Sequence, residues 1–412
     1  MRQVRDEGYE VGVHCFDHTT WQDFVSRRGE AWTRDQMLRA VHRFREVFGV
    51  KPQVHGAAGW QMNESALELE EEMGFLYASD TRGDAPVSYT HLDVYKRQSA
   101  MSPPRAVVFA YHDVGVRCLR TLLAHGVDVP LVFTHRDAPG ENIWFDSVAR
   151  HAHWHGIEVL MPEDPNVPQF IQRLRALRPE FLFSFYYRSM LGSEMLSLPA
   201  RGAYNMHGSL LPKYRGRVPV NWAVLHGEHE TGATLHAMVA KPDAGDIVDS
   251  EAVPILPDDT AVEVFRKVTV AAEVALHRCL PALIAGTARH TPQDLAAGSY
   301  FGRRSARDGA IDWRRGALAV HNLIRAVAPP YPAAYSEAQG MPLRILHSLP
   351  AAPSEMRAEP PVLRWRDGDV YALCHDGALK LLEFELDGDI GSAAVFHRRF
   401  GESSLALKPV ME

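Results

Sequence analysis

Between Arg105 and Phe185 the chain repeats one pattern: a short apolar run, a stretch of helical length, then another apolar run. The runs are Ala106–Ala110, Val129–Phe133, Ile157–Leu160 and Phe181–Phe185, and the helical stretches lie at about 115–125, 146–155 and 167–177. A run that is apolar at consecutive positions has both faces covered. Strands alternating with helices of this length form a parallel sheet wrapped on both sides. The predicted class is therefore α/β, a doubly wound parallel sheet. Ligands of such sheets sit beyond the carboxyl ends of the strands.

The next strand end lies in Ala203–Arg217. Asn205 and His207 stand two apart there, and in an extended chain such residues share a face. The backbone loosens at Gly208, and Leu210-Leu211-Pro212 suits neither a helix nor a central strand. Downstream, Asp243-Ala244-Gly245-Asp246 places a carboxylate in a turn. Moving an acyl group onto an amine needs a donor where negative charge develops on oxygen, a group that exchanges protons near neutral pH, and a carboxylate that favours the charged imidazole. Asn205, His207 and Asp243 supply those parts. Taken singly each has a plainer role, as a turn cap, a core histidine and a turn aspartate. Ser209 lacks the G-x-S-x-G setting of a hydrolase nucleophile.

Other chemistries are disfavoured. The first strand-to-helix turn, Tyr111-His112-Asp113-Val114-Gly115, has one glycine where a dinucleotide fingerprint needs three. His151, His153 and His155 read as an exposed helix surface, with no acidic or cysteine partner close by. A net charge of −7 weighs against a nucleic-acid surface. The four cysteines, Cys15, Cys118, Cys279 and Cys374, are scattered without metal spacing and read as buried, reduced thiols. The most apolar helix is interrupted by Glu273, His277 and Arg278, which reads as no membrane span, and no signal pattern opens the chain. The expectation is a soluble, cytoplasmic protein with no resident metal.

The remaining organisation follows from local signals. Pro219–His226 suits a helix with proline in its first turn, and Gly232–Met238 and Ile247–Val253 suit strands. Thr260 and Glu263 make a capping box for a long helix to about Ile284 that contains Pro281. From about Phe301 short β-like runs at Leu343–Leu346, Val370–Leu373 and Leu379–Phe384 indicate a small β-rich domain. At the other end, Tyr9–His14 has a strand's alternation, and a helix from Thr33 to Phe48 sets Met37, Leu38, Val41, Phe44 and Val47 on one side. The domains expected are 1–87, 105–300 and 301–412, joined by 88–104. Ser88–Gln98 matches neither neighbour and is poor in the Gly, Pro and Ser of ordinary linkers. It reads as an assembly join between two genes, with Met101 as a native start.

Two family resemblances bear on these readings. Asn205-x-His207-x-Ser209-Leu210-Leu211-Pro212, then Tyr214-Arg215-Gly216 and Asp243-x-Gly245-Asp246, resembles the signature of 10-formyltetrahydrofolate-dependent formyltransferases, over about Arg105 to the C-terminus. The resemblance implies a Rossmann-like catalytic domain and a small C-terminal β-rich domain. It implies 10-formyltetrahydrofolate as co-substrate, His207 as proton donor, Asn205 as transition-state stabiliser and Asp243 as modulator of the histidine. It further implies a folate site lined by Ser189, Met190, Leu191, Arg217, Val239, Ala240, Lys241 and Pro242. Val108–Asp113, Phe133–His135, Pro139–Asn142, Phe183–Arg188, Phe301–Arg304, Ile311–Trp313 and His321–Val327 are similar to the branch acting on UDP-4-amino-4-deoxy-L-arabinose in lipid A modification. The sequence to Glu412 holds no UDP-glucuronate decarboxylase domain of the kind often fused to that branch, so that activity is expected to be absent. Methionyl-tRNA formyltransferase and a catalytically silent binding protein remain alternatives at this point.

Glu10–Gln22, with His14 and His18 at a metal-ligand spacing, resembles a metal motif of polysaccharide deacetylases. Ala57–Trp60 and Ser79–Gly83 fit the same family, and the likeness is nearest to deformylases of 4-deoxy-4-formamido-arabinose-phosphoundecaprenol. The family's first-strand aspartate is missing, so the fragment is expected to be truncated, its metal site vestigial and its hydrolase activity absent.

Overall fold

The computed structural model describes residues 12–17, 20–21, 24–25, 28–56, 63–78, 87–88, 103–138, 140–351 and 356–408. The chain divides into two compact units, Met1–Ser102 and Pro103–Glu412.

In the first unit, helix α1 (Glu30–Phe48) packs Met37, Ala40, Val41, Phe44 and Phe48 into a small core with Trp21, Val25, Leu69 and Phe75. Leu38, expected on that face, is half exposed at 50%. The 3.6-residue period carries the buried stripe through Ala40 instead. Strands β1 (Val54–His55), β2 (Tyr77–Ala78) and β3 (Val87–Ser88) form a small sheet in that order. Helix α2 (Glu64–Glu72) starts at Asn63, whose Oδ1 accepts from Ala66 N at 2.8 Å. His14 is exposed, whereas His18, Ala57–Trp60, Ser79–Gly83 and 89–102 lie outside the described residues.

The second unit is built on a seven-stranded sheet ordered β11-β10-β8-β7-β4-β5-β6. Its parallel strands are β4 (Arg105–Ala110), β5 (Asp128–Phe133), β6 (Glu158–Leu160), β7 (Phe181–Phe185) and β8 (Ala203–His207). Strands β10 (Glu230–Ala237) and β11 (Ile247–Pro254) extend one edge and run antiparallel. The sheet alternates its side chains between two cores. Ala106, Val108, Phe181, Phe183, Phe185, Tyr204 and Met206 face α3 (His112–Ala124), α4 (Val148–Trp154) and α8 (Ala261–Ala285). Val107, Phe109, Leu131, Phe133, Leu182 and Ala203 face α5 (Pro168–Leu177) and α6 (Ser193–Leu196). Phe109 and Phe133 stack at 4.4 Å across β4 and β5, a pairing that contributes about 1 kcal/mol beyond its buried area.

Helix α8 begins with the expected capping box of Thr260 and Glu263 and keeps Pro281 within its length. By length and composition it is apolar enough to cross a membrane, so the interruption by Glu273, His277 and Arg278 does not by itself argue against a span. Three polar residues on the solvent side do not lower its mean hydropathy enough. Half of the apolar window is buried, and Val264, Val268, Ala272, Leu276 and Leu280 lie in the sheet core. A second correction concerns α4. His151 is largely covered, and its Nε2 lies 2.7 Å from Asp146 Oδ2. Asp146 stands just before the Ser147 N-cap, where its Oδ1 accepts from Ser147 N at 2.6 Å and its own N–H donates to Asp113 Oδ1 at 2.8 Å. Cys118, Cys279 and Cys374 are buried free thiols, while Cys15 is only partly covered.

Beyond α7 (Pro219–Leu225) and α9 (Ala317–Val327), an antiparallel sheet runs β14 (Met341–Ala351), β13 (Ala334–Ala338), β19 (Ser404–Lys408), β15 (Val362–Arg366), β16 (Asp369–Leu373), β17 (Ala378–Leu386) and β18 (Asp389–Gly391). It closes into a barrel because β17 also pairs with β14, across register shifts at His347. Such irregularities sharpen twist where a sheet must curl. Leu343, Ile345, Leu363, Leu379, Phe384 and Leu405 fill it, and Val320, Leu323 and Ile324 of α9 cover it. The segment between sheet and barrel is tied to the core: β12 (Tyr300–Phe301) pairs in parallel with β9 (Arg215–Gly216).

Candidate active site

Asn205 and His207 project from the end of β8 on the face away from α3 and α8, the face that Ala203 shares with the second core. Strand β10 brings His236 opposite Asn205 and Thr234 opposite His207. The connection from β10 to β11 folds back over this face instead of turning tightly, and it carries Asp243 with φ 51. The structure thus brings together the three residues singled out from the sequence. His207 Nδ1 lies 3.6 Å from Asp243 Oδ1, within ion-pair range though too long for a hydrogen bond. Side-chain exposure is 7% for His207 and 14% for Asp243.

His236 is the member that sequence reading missed. Its side chain is 2% exposed, and its Nε2 lies 3.5 Å from Asp243 Oδ1. The same nitrogen lies 3.2 Å from Asn205 Nδ2. The one available signal was Thr234-Leu235-His236, where alternation in a strand puts a histidine on a polar face. Cross-strand register with Asn205 gives that histidine its meaning, and register is not written locally.

The hydrogen bonds fix where protons reside. His207 Nε2 donates to the carbonyl of Tyr214 at 2.8 Å, so the nitrogen left to exchange protons is Nδ1, toward Asp243. His236 Nδ1 donates to the carbonyl of Ala237 at 2.8 Å, so in the neutral ring its Nε2 accepts one hydrogen of the Asn205 amide. The second amide hydrogen of Asn205 is left unspent among the described residues. Burial alone would push the Asp243 carboxyl up. The charge of His207 first, then a protonated His236 and the backbone N–H of Gly216, outweigh it and hold the group well below the usual carboxylate range. The Gly216 contact is 2.9 Å to Oδ2.

Gly208 explains the loosened backbone after His207. A Cβ there would lie 1.8 Å from the Tyr186 hydroxyl, so the approach of these two segments requires glycine. Ser209 is fully buried, and its hydroxyl donates to the Lys213 carbonyl at 2.7 Å. It is spent on the turn.

The residues expected around the folate lie on two loops and one neighbour. Ser189, Met190 and Leu191 follow β7, and Val239, Ala240, Lys241 and Pro242 precede Asp243. Leu191 and Met238 share the second core, so both loops converge on the face of Asn205 and His207. Met190, Val239, Ala240 and Lys241 are exposed, whereas the Leu191 side chain is packed inside and leaves only its backbone for a ligand. Arg217 is exposed and follows Gly216; its own N–H donates to Phe301 O at 2.9 Å. A separate cavity of about 220 Å³ opens beside α7 and α9, lined in part by Trp222, Arg304, Arg315 and Leu323, and none of the residues above lines it. Among the described residues no cluster of three metal-ligating side chains is present.

Comparison with known proteins adds the following. Residues 123–280 match the family model "Formyl transferase", and residues 304–400 match "Formyl transferase, C-terminal domain", together more than half of the chain. Among solved structures the chain is similar to the N-formyltransferase of Helicobacter canadensis, determined with folinic acid and dTDP-3-aminofucose. That match has 21% identity, a TM-score of 0.53, and covers 68% of this chain and 99% of the other. It is similar also to WlaRD, a sugar 3N-formyl transferase determined with dTDP and 5-N-formyl-THF, at 19% identity and TM-score 0.55, covering 68% and 98%. HypX from Aquifex aeolicus matches at 18% identity and TM-score 0.50, covering 73% of this chain and 49% of HypX. At these identities the structural likeness establishes the fold.

Proposed function

The chain belongs to the formyl transferase family, and from that premise we propose that it moves a formyl group from 10-formyltetrahydrofolate to the 4-amino group of a UDP-amino sugar. The acceptor proposed is UDP-4-amino-4-deoxy-L-arabinose, the product serves lipid A modification and polymyxin resistance, and the setting is the cytoplasm. The observation that carries the reading is the meeting of Asn205, His207 and Asp243 on one sheet face. Similar structures determined with folate derivatives, dTDP-3-aminofucose and dTDP support the substrate classes.

Bound 10-formyltetrahydrofolate supplies an activated one-carbon unit on nitrogen. The residues present fit that need: an unspent amide hydrogen on Asn205, an imidazole nitrogen facing a carboxylate, and exposed loop positions at 189–190 and 239–241. A new C–N bond forms to the sugar amine, the bond to the carrier nitrogen breaks, and one proton passes from amine to carrier. Asn205 donates its second hydrogen where negative charge develops on the formyl oxygen. His207 gives and takes the proton at Nδ1, because Nε2 is committed to Tyr214. Asp243, kept ionised, favours the charged imidazole and lets the proton return. Ser189, Met190, Leu191, Arg217 and Val239–Pro242 hold the carrier.

In this reading 105–300 is the catalytic domain and 301–412 its β-rich companion. Residues 1–87 are a polysaccharide-deacetylase-like fragment, and 88–104 is the join. The test offers the purified chain 10-formyltetrahydrofolate with UDP-4-amino-4-deoxy-L-arabinose or methionyl-tRNA. Formylation of the sugar nucleotide is expected. Formylation of the tRNA, or of neither, overturns the assignment.

A further inference from the structure

The turn that carries Asp243 is held from outside the group described so far. After α8 the chain returns to the edge of the sheet, where Thr291 bridges Ile247, the first residue of β11. The two residues exchange backbone hydrogen bonds of 2.8 Å. Two residues on, Gln293 Nε2 donates to the carbonyl of Asp243 at 3.1 Å and to that of Gly245 at 2.5 Å. Both partners are carbonyl oxygens, so the amide nitrogen must face them and not Oε1.

The turn needs such a partner. Asp243 has a left-handed φ of 51, which disfavours any residue with a Cβ. Gly245 passes so close to β10 that a Cβ would lie 2.0 Å from the Ala237 carbonyl. Gln293 satisfies two carbonyls of this turn with one amide. Gly216 N–H fixes the carboxylate itself. Backbone and carboxylate of Asp243 are therefore each held, by Gln293 and Gly216, residues far apart in the chain.

We propose that Gln293 is a positioning residue for formyl transfer: its side-chain amide holds the Asp243 turn in shape and so aims the Asp243 carboxylate at His207 and His236. This rests on the role assigned to Asp243 above. Gln293 acts through the turn alone, so its effect vanishes once the carboxylate is gone.

The test uses the full chain as wild type, Gln293→Met, Asp243→Asn and the double variant, with Gln293→Leu as a second removal of both donors. Gln293→Met is expected to lower kcat about ten- to hundredfold, the scale of a small misplacement of a catalytic group. In the Asp243→Asn background the same change is expected to cost less than about twofold. Equal losses in both backgrounds, or wild-type kcat in both Gln293 variants, overturn the proposal. A second arm needs no acceptor: the imidazole ¹⁵N resonances of His207 and His236 are followed against pH. In Gln293→Met they are expected to follow Asp243→Asn, and tracking the wild type instead overturns the proposal. Failure of the wild type to formylate the sugar nucleotide sinks the functional reading alone, and the resonances still decide the role of Gln293.

Discussion

Asn205 and His236 face each other across β8 and β10, with Asn205 Nδ2 3.2 Å from His236 Nε2. Because His236 Nδ1 is spent on the Ala237 carbonyl, the neutral ring presents a bare nitrogen to the amide. The pair therefore decides which way the Asn205 amide points, with its NH₂ toward the site's interior and one hydrogen left over.

Replacing His236 by Leu removes that anchor while keeping an apolar body at a buried position. The expected outcome is a kcat about ten- to hundredfold lower, from a donor that is present but misaimed. Steady-state kinetics check it, with the KM for 10-formyltetrahydrofolate expected to change little.

Loss of the donor itself should cost more. Asn205→Ala is expected to reduce kcat by about a hundredfold or more, and His207→Ala by a comparable factor. If the two act as one unit, the double variant falls little below the worse single one. Multiplying losses in single-turnover experiments would show that they act separately.

Asp243 links the site to acid stability. His207, His236 and Gly216 overcome burial and hold its folded-state pKa below the unfolded value. Its stabilisation is thus complete above about pH 4 and lost as pH falls through the folded value. Urea unfolding of Asp243→Asn should show a flatter acid limb than the wild type below about pH 4, and parallel limbs would contradict it.

His112 behaves in the opposite chemical sense. Burial first, and the Arg188 guanidinium second, push its imidazole down to about 3. The backbone N–H of Asp113 donates to its Nδ1 at 3.0 Å, which suits only a ring without a proton there. The unfolded chain then binds the extra proton between about pH 6.5 and the folded value, so stability falls as pH drops through that window. His112→Asn keeps a residue that tolerates its φ of 67 and should remove that slope, read by thermal unfolding across the window.

The approach of Tyr186 to Gly208 makes a paired test. Gly208→Ala sets a methyl 1.8 Å from the hydroxyl and 2.9 Å from the ring carbon that bears it. A destabilisation of about 1–3 kcal/mol is expected from overpacking. Adding Tyr186→Phe removes the nearer atom and should recover part of the loss in denaturant titrations. No recovery would place the strain in the backbone.

The strands of the core were legible because each is a run of apolar residues covered on both faces, and the capping box of α8 because Thr260 and Glu263 satisfy each other within one turn. Legibility failed where a contact depended on folding back. His151 reads as a surface histidine from the sequence because Asp146, five positions earlier and outside the helix, meets it only once the chain is folded. Leu38 was placed in a core that its helix turns past.

By itself the amino-acid order determined the alternating strands and helices, the projection of Asn205 and His207 from one face, and the turn at Asp243. These depend on neighbours within a few residues, where backbone sterics and side-chain period act. Only the tertiary structure decided that His236 completes the group, that Gly216 and Gln293 clamp Asp243, and that the C-terminal strands close into a barrel. Those are pairings between segments tens of residues apart, set by sheet register and by the burial of shared faces, and no local pattern encodes which distant residue arrives opposite which.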